Sequence, residues 1–129
     1  MFGSSRYSID VDQERGIVIV NYVDVIDLTD RRQAVETATR EAREKGFRKI
    51  LVDFSEARME THAPEEESEF ADLLSSHDVL MDCRTAYLSR PGQSINWFIE
   101  VLAQARHFPC RHFTDREQAQ AWLAGVDED

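Results

Sequence analysis

The amino-acid sequence predicts an α/β fold: a mixed five-stranded sheet, parallel apart from its first strand, with four helices in the order ββαβαβαβα. Three observations lead to this prediction. Two apolar stretches near the N-terminus are separated by a short turn that ends in glycine, as in a hairpin. Three further apolar stretches alternate with helical patterns, which is typical of parallel sheets. The 129 residues fit one domain, 1–129, with an ordered core at about 7–124.

The first three elements follow from alternation and from capping residues. The segment from Tyr7 to Asp12 alternates apolar and polar side chains, which predicts an edge strand, and the segment from Ile17 to Val23 is more continuously apolar. Either Asp27 or Thr29 can cap the helix that follows. Gly46 can end this helix in the left-handed conformation, with an apolar contact just beyond it.

The stretch from Lys49 to Phe54 is the predicted central strand, because its side chains are apolar enough to be covered on both faces of a sheet. A polar loop is expected from Ser55 to Ala63, and Pro64 then begins a helix whose first turn is acidic. Ligands and partners of open α/β sheets usually bind at the carboxyl ends of the strands. The loop after this strand is therefore the expected functional region.

The C-terminal half predicts two more strand and helix pairs. A strand from Arg84 leads into a short Pro- and Gly-containing loop, where Ser94 can cap the next helix and could, with Arg90, hold a small anion. A last strand ends at Phe113, and Thr114 with Glu117 forms a capping box for the final helix.

In the helix predicted after the fourth strand, two apolar side chains lie off the main apolar stripe. Trp97 and Val101 widen the apolar surface beyond what one contact with a sheet needs. This pattern indicates a second contact, such as the interface of a homodimer.

The composition limits the classes of partner and the cellular compartment that are expected for this protein. The formal net charge of −10 and the short basic clusters argue against nucleic-acid binding. No apolar run has the length of a membrane span, and no secretory leader is visible, so a cytoplasmic protein is expected. Cys83 and Cys110 are read as two buried, reduced thiols. Asp24, Asp27 and Asp30 match no metal motif, and neither a metal nor a cofactor is predicted.

The order of elements resembles the STAS domain, named for sulfate transporters and anti-sigma-factor antagonists. Three features carry the resemblance, which runs from about Tyr7 to Leu123: the strand Ile50-Leu51-Val52-Asp53-Phe54-Ser55, Gly46 before it, and Phe113, Asp115, Ala119, Trp122 and Leu123 at the end. The closing pattern is most similar to small stand-alone bacterial STAS-like proteins. The resemblance implies a non-enzymatic regulatory module that docks a protein partner.

The sequence departs from the family at the loop after the central strand. Antagonists of anti-sigma factors resemble one another in a Ser-Gly pair there, whose hydroxyl is phosphorylated, and this chain has no such pair. Thr61 is the nearest hydroxyl and is the candidate phosphorylation site. Phosphate there would meet repulsion from the neighbouring glutamates as well as attraction from a helix N-terminus, so capping or solvation of the loop is the alternative.

Three functional hypotheses follow. The leading one is protein docking at the strand ends, and the second is a small-ligand carrier or sensor, for an apolar or anionic ligand, with a pocket lined by Phe54, Met59, Arg90 and Trp97. The third is a hydrolase of unknown substrate that uses Asp53 and His62, with Glu56 close by, although no recognised nucleophile motif is present. The residues predicted to bind the partner or ligand are Asp53, Phe54, Ser55, Arg58, Met59, Thr61, His62, Arg90, Gly92 and Trp97.

Overall fold

A five-stranded sheet with helices on both faces forms the domain. The computed structural model describes residues 6–93 and 95–125. The elements in chain order are β1 (Tyr7–Asp12), β2 (Ile17–Ile26), α1 (Leu28–Lys45), β3 (Lys49–Met59), α2 (Pro64–Ser76), α3 (Asp78–Met81), β4 (Arg84–Leu88), α4 (Trp97–Ala105), β5 (Cys110–Phe113) and α5 (Arg116–Ala124).

The strands lie in the sheet in the same order as in the chain, β1-β2-β3-β4-β5. Strand β1 pairs with β2 in antiparallel orientation, and the other three pairings are parallel. The predicted mixed sheet with an antiparallel first strand is confirmed. When the crossover connections between successive neighbouring strands all have the same handedness, their helices lie on the same face of the sheet.

The two faces of the sheet are covered unequally. The larger core contains buried side chains from α1, α2, α3 and α4 packed on one face. The smaller core is formed where Ala119 and Leu123 of α5 pack on Ile17, Leu51 and Leu88 on the other face. The helical spacing predicts that Ala119, Trp122 and Leu123 face inward; Ala119 and Leu123 are buried, and Trp122 is half-buried against the same core.

Helix α1 begins and ends as its capping residues predict. The Asp27 side chain accepts a hydrogen bond from the Asp30 amide, and the Asp30 side chain accepts one from the Asp27 amide, so the two form a capping box. Gly46 has φ 70° and ψ 25°, the left-handed conformation that glycine adopts without a steric penalty. Phe47 follows it and packs against the core.

The structure corrects the predicted loop after the central strand. Strand β3 continues to Met59, so residues 55–59, expected in a loop, belong to the strand, and Glu56–Met59 pair with the end of β2. The local sequence is polar there, and the strand conformation is imposed by the pairing of Val23–Ile26 with Glu56–Met59 across a bulge.

The described part of the chain has one helix more than the four predicted. The additional helix is the four-residue α3, which is too short to show a helical period in the sequence. It lies between α2 and β4 and buries Leu80.

Two predicted helix starts also change. Ser94, the expected cap of α4, lies outside the described residues, and the helix begins at Trp97 with Asn96 at the N-cap. In α5 the cap is Asp115, whose side chain accepts from the Glu117 amide, rather than Thr114. Asp115 lies one residue nearer to the helix than Thr114. Its carboxylate accepts from a free amide of the first turn, so it caps the helix in place of the Thr114 hydroxyl.

Cys83 and Cys110 are both buried and unbridged, as the sequence predicts. Burial raises the pKa of the Cys83 thiol to about 11 and that of Cys110 to about 12. No helix in the described part of the chain is both long and apolar enough to span a membrane.

Candidate functional site

A groove opens at the carboxyl ends of the strands because the strands differ in length. The last parallel pair between β3 and β4 joins Asp53 to Leu88, whereas β2 and β3 continue together as far as Ile26 and Met59. The ends of β2 and β3 that project beyond β4 form one wall. The loop before α4, together with the first turn of α4, forms the other wall. The groove has a volume of about 450 Å³.

The loop wall is held in place by the side chain of Gln93. Its Nε2 donates to the carbonyl oxygens of Phe54, at 3.3 Å, and Ala57, at 3.0 Å. Its Oε1 accepts from the Arg90 amide at 2.7 Å. Since β4 ends before this point, the amide of Gln93 satisfies carbonyl groups of β3 that would otherwise lack a neighbouring strand.

The helix wall begins at a residue with a left-handed backbone. Asn96 has φ 70°, a conformation that asparagine tolerates better than most residues, and it is buried. Its side chain accepts a hydrogen bond from Nη1 of Arg31 in α1 and donates one to Glu100 in α4 at 3.0 Å. Both contacts hold the backbone from which Trp97 projects.

The groove surface combines apolar and charged side chains. Met59, Ile95, Trp97 and Phe98 supply the apolar part. The Trp97 residue is 65% exposed, the most of any large apolar residue in the described structure. The charged lining consists of Glu60 and Glu67 with Arg58.

The groove brings together half of the ten residues predicted to bind. These are Arg58, Met59, Thr61, His62 and Trp97. The other five, Asp53, Phe54, Ser55, Arg90 and Gly92, do not line it.

Asp53 and Ser55 form their own polar cluster. Asp53 Oδ2 accepts from Arg116 of α5 at 2.8 Å, and Asp53 Oδ1 accepts from the Ser55 hydroxyl at 2.6 Å and from its amide at 2.8 Å. Helix α5 covers the face of the sheet opposite α4. Asp53 is therefore committed to a contact on the far side of the sheet from the groove.

Phe54 lies in the core beneath the groove. Its ring stacks between Tyr22, with centroids 5.4 Å apart, and Tyr87, at 5.8 Å, so aromatic rings of three adjacent strands form one row. Phe54 is fully buried and cannot contact a bound molecule.

Arg90 and Gly92 are both exposed at the top of the loop. Gly92 has φ 87°, so its conformation serves the turn that positions Gln93.

The structure does not assemble the acid and base of the hydrolase hypothesis. Asp53 is bound to Arg116, whereas His62 lies in the groove with Nδ1 3.6 Å from Oε2 of Glu66. Glu56 is exposed and does not line the groove. Thr61 is exposed and lines the groove next to Glu60, so phosphorylation of its hydroxyl stays a prediction.

A largely enclosed apolar cavity also lies within the core, between α1 and the central strands, with a volume of about 30 Å³. This is space for about one water molecule, whereas pockets for small organic ligands have volumes of roughly 300–1,000 Å³. The apolar pocket expected for a ligand carrier is therefore not formed by this cavity.

Several polar residues near the groove, all buried except the half-buried His112, were not identified from the sequence. Ser89, Asn96, Glu100 and His112 are joined by hydrogen bonds, and Arg31 extends the chain into α1. The spacing of Asn96 and Glu100, four residues apart at the start of α4, is the sequence signal that could have indicated part of this arrangement.

The comparisons with known proteins identify the fold. An uncharacterized protein of the DUF3478 family with a SpoIIAA-like fold, from Shewanella loihica PV-4, superposes with a TM-score of 0.57, covering 95% of this chain and 98% of its own. The fold is SpoIIAA-like. This confirms the STAS-like fold that the sequence pattern implied. The two chains share 16% identity, so the likeness concerns the STAS-like fold alone.

No protein-family model matches the sequence, and no curated protein matches it either.

Proposed function

We propose that this STAS-like chain is a non-catalytic binding module that docks a segment of a protein partner in the groove at the strand ends. The observation that carries the proposal is the exposed indole of Trp97 on the rim of that groove. Tryptophan is among the residues that most often dominate the binding energy of protein interfaces, because it offers a large rigid surface.

The apolar surface continues beyond the indole. Val101, 44% exposed, lies one helical turn after Trp97 on α4, and Phe98, Ile95 and Met59 line the groove beside it. Together these side chains form an apolar strip with a charged border. Such a strip at a concave site is typical of a docking surface.

The charges favour one kind of partner. Glu60 and Glu67 line the groove with Arg58, and Glu66 lies beside His62. The formal net charge of the chain is −10, so its long-range field also attracts cations. The partner segment is therefore expected to carry an apolar anchor flanked by lysine or arginine.

The groove walls are built before any partner binds. Gln93 fixes the loop on β3, and Asn96 fixes the start of α4 through Arg31 and Glu100. A surface ordered in advance loses little conformational entropy on binding, which favours affinity.

The test begins with a photo-cross-linking amino acid at Thr61, which is exposed and lines the groove, in the cells that produce the protein. The same amino acid at Glu44, exposed on α1, is the matched control. We expect a partner that cross-links from position 61 and not from position 44, and whose cross-linked peptide contains an apolar residue flanked by basic residues.

Binding of a synthetic copy of that peptide then tests the role of the indole by isothermal titration calorimetry. We expect Trp97→Ala to weaken binding at least tenfold. Glu44→Ala is the control, because Glu44 is exposed on α1 and does not line the groove. An acidic cross-linked segment, a cross-link to a second copy of this chain, or unchanged binding by Trp97→Ala would contradict the proposal.

A further inference from the structure

A chain of hydrogen-bonded side chains runs beneath the groove and joins α1, α4 and the sheet. Nη1 of Arg31 donates to Asn96, and Nδ2 of Asn96 donates to Oε2 of Glu100 at 3.0 Å. Nδ1 of His112 lies 2.9 Å from the same carboxylate oxygen, and its Nε2 lies 2.6 Å from the Ser89 hydroxyl. We call these five residues the polar chain.

His112 is the member of the polar chain that solvent can reach. Its side chain is 32% exposed and that of Glu100 is 8% exposed, while Arg31, Ser89 and Asn96 are buried. A proton can therefore enter or leave the polar chain at the imidazole ring. Imidazole is also the side chain whose charge ordinarily changes near neutral pH.

The geometry accommodates both protonation states of His112. In the neutral ring, Nδ1–H donates to Glu100 and Nε2 accepts from the Ser89 hydroxyl. In the charged ring both nitrogens donate, and the Ser89 oxygen accepts after its hydrogen has rotated away. The hydrogen bonds thus persist, and the quantity that changes is the charge beside the Glu100 carboxylate.

That charge acts on the start of α4. With neutral His112, Glu100 is a buried carboxylate held by two neutral donors, one of them Asn96. With charged His112 it belongs to an ion pair, which anchors the carboxylate, and with it the amide of Asn96, more firmly. Asn96 directly precedes Trp97 and holds a left-handed backbone that its surroundings must enforce.

We propose that His112 is a positioning residue whose proton strengthens the hold on Asn96, so that Trp97 and the groove are held most firmly when His112 is charged. This inference rests on the proposed docking function and adds a means of regulating it. The docked segment is then expected to bind more weakly as pH rises and His112 loses its proton.

Among the titratable groups that surround His112, Glu100 is the one that carries a charge near neutral pH. Glu100 raises the pKa of His112, first through their hydrogen bond and also through its charge, against an opposing effect of burial. Tyr87, its register partner on β4, and Cys110, on the same strand, have pKa values raised by burial and are uncharged near neutral pH. Helix α5 packs on the opposite face of the sheet, against Phe113.

Ser89, His112 and Glu100 have the connectivity of a hydrolase triad, but the surroundings of the serine favour a positioning role. Ser89 is 2% exposed and neither it nor His112 lines the groove. A nucleophilic serine needs space for a substrate carbonyl about 3 Å from its hydroxyl.

The test follows the indole N–H signal of Trp97 by ¹H–¹⁵N NMR between pH 5.5 and 9 in the full chain without a partner. The signal is assigned by its absence in Trp97→Phe. We expect a shift of the indole signal with its midpoint above 6.5, equal to the midpoint of the His112 ring signals. An indole signal that does not titrate would overturn the inference.

Single variants of two of the four histidines, His112 and His62, identify the residue responsible. His112→Gln keeps a donor for Glu100 but cannot titrate, so it should abolish the indole titration. His62→Gln is the matched control, because His62 lies in the same groove as Trp97, and it should preserve the titration. If the indole titration persisted in His112→Gln and disappeared in His62→Gln, the effect would belong to His62 and the inference would be overturned.

A second route covers failure of His112→Gln to fold. Glu100→Gln removes the charge that raises the pKa of His112, so the indole midpoint should move to lower pH, and an unchanged midpoint would overturn the inference. Because the titration needs no partner, its outcome is independent of whether Trp97→Ala abolishes docking.

Discussion

The guanidinium carbon of Arg31 lies 4.6 Å from the centre of the Phe70 ring, in the interior of the domain. The ring of Phe54 lies 5.1 Å away, so the cation faces aromatic surfaces of α2 and β3. Aromatic faces attract cations, and this attraction is stronger where water is excluded. Arg31 is 2% exposed, and its hydrogen bond to Asn96 makes it the end of the polar chain as well as part of the core.

Replacing Arg31 by alanine should destabilise the fold severely. The change leaves a cavity and removes the donor that satisfies Asn96, so we expect the free energy of unfolding to fall by about 3–5 kcal/mol in urea titrations. Arg31→Met fills most of the space and should lose less. Arg32→Ala is the matched control: Arg32 is exposed, and its loss should change stability by less than about 0.5 kcal/mol. Equal effects at positions 31 and 32 would contradict this account.

The burial of Arg31 also shows why part of the site could not be predicted from the sequence. Asp30-Arg31-Arg32 has the composition of an exposed helix turn. The rings and the amide that surround Arg31 come from β2, β3, α2 and the start of α4, all of them outside helix α1. Periodicity within one helix carries no information about such partners.

Features with local causes were predicted correctly. Gly46 ends α1 because of its own backbone freedom, and Asp27 caps it through an amide three residues away. Trp97 and Val101 are predicted to lie off the main apolar stripe of their helix, and both are exposed, whereas the homodimer contact inferred from them stays a prediction. The end of β3 was missed because its pairing partner, Val23–Ile26, and not its own polar sequence, makes it a strand.

The stability of the fold should depend on the protonation of His112. Its pKa is raised in the folded state by Glu100, so folding takes up a proton between the unfolded and folded values. The added stability is fully present below the unfolded value of about 6.5 and is lost as pH rises through the folded value. Urea titrations at pH 6 and pH 9 should therefore show wild type losing more stability than His112→Gln.

The control for this comparison is His107→Asn. His107 is exposed and has φ 68°, which asparagine also tolerates, so the substitution removes an imidazole without straining the turn. Its pH dependence should match that of wild type. A wild-type protein that gains stability relative to His112→Gln on going from pH 6 to pH 9 would show that the sign is wrong.

The two thiols should react slowly in the folded protein. Burial raises the pKa of Cys83 to about 11 and that of Cys110 to about 12, against an ordinary value of 9.0. At pH 8 the reactive thiolate is then scarcer by roughly 100-fold and roughly 1,000-fold. Reaction with Ellman's reagent, measured in Cys83→Ser and Cys110→Ser separately, should be slowed by at least these factors relative to protein in guanidinium. Native rates within tenfold of the unfolded rates would contradict the burial of the thiols.

The Gln93 side chain should stabilise the loop wall of the groove more than it stabilises the rest of the fold. Gln93→Ala removes the donor for the Phe54 and Ala57 carbonyls and the acceptor for the Arg90 amide, at a cost of about 1–2 kcal/mol of stability. The amide of Arg90 should exchange its hydrogen faster. Gln33→Ala, at an exposed position of α1, is the matched control and should change neither quantity.

A glutamate at position 93 separates the two roles of the side chain. Gln93→Glu keeps an acceptor for Arg90 but places a carboxylate oxygen against the carbonyls of β3, where repulsion replaces two hydrogen bonds. If the loop wall depends on those carbonyls, this variant should be at least as unstable as Gln93→Ala, and docking should weaken in both. Wild-type stability of Gln93→Glu would mean that the Arg90 contact alone holds the loop, and that the projecting end of β3 is not what positions the second wall of the groove.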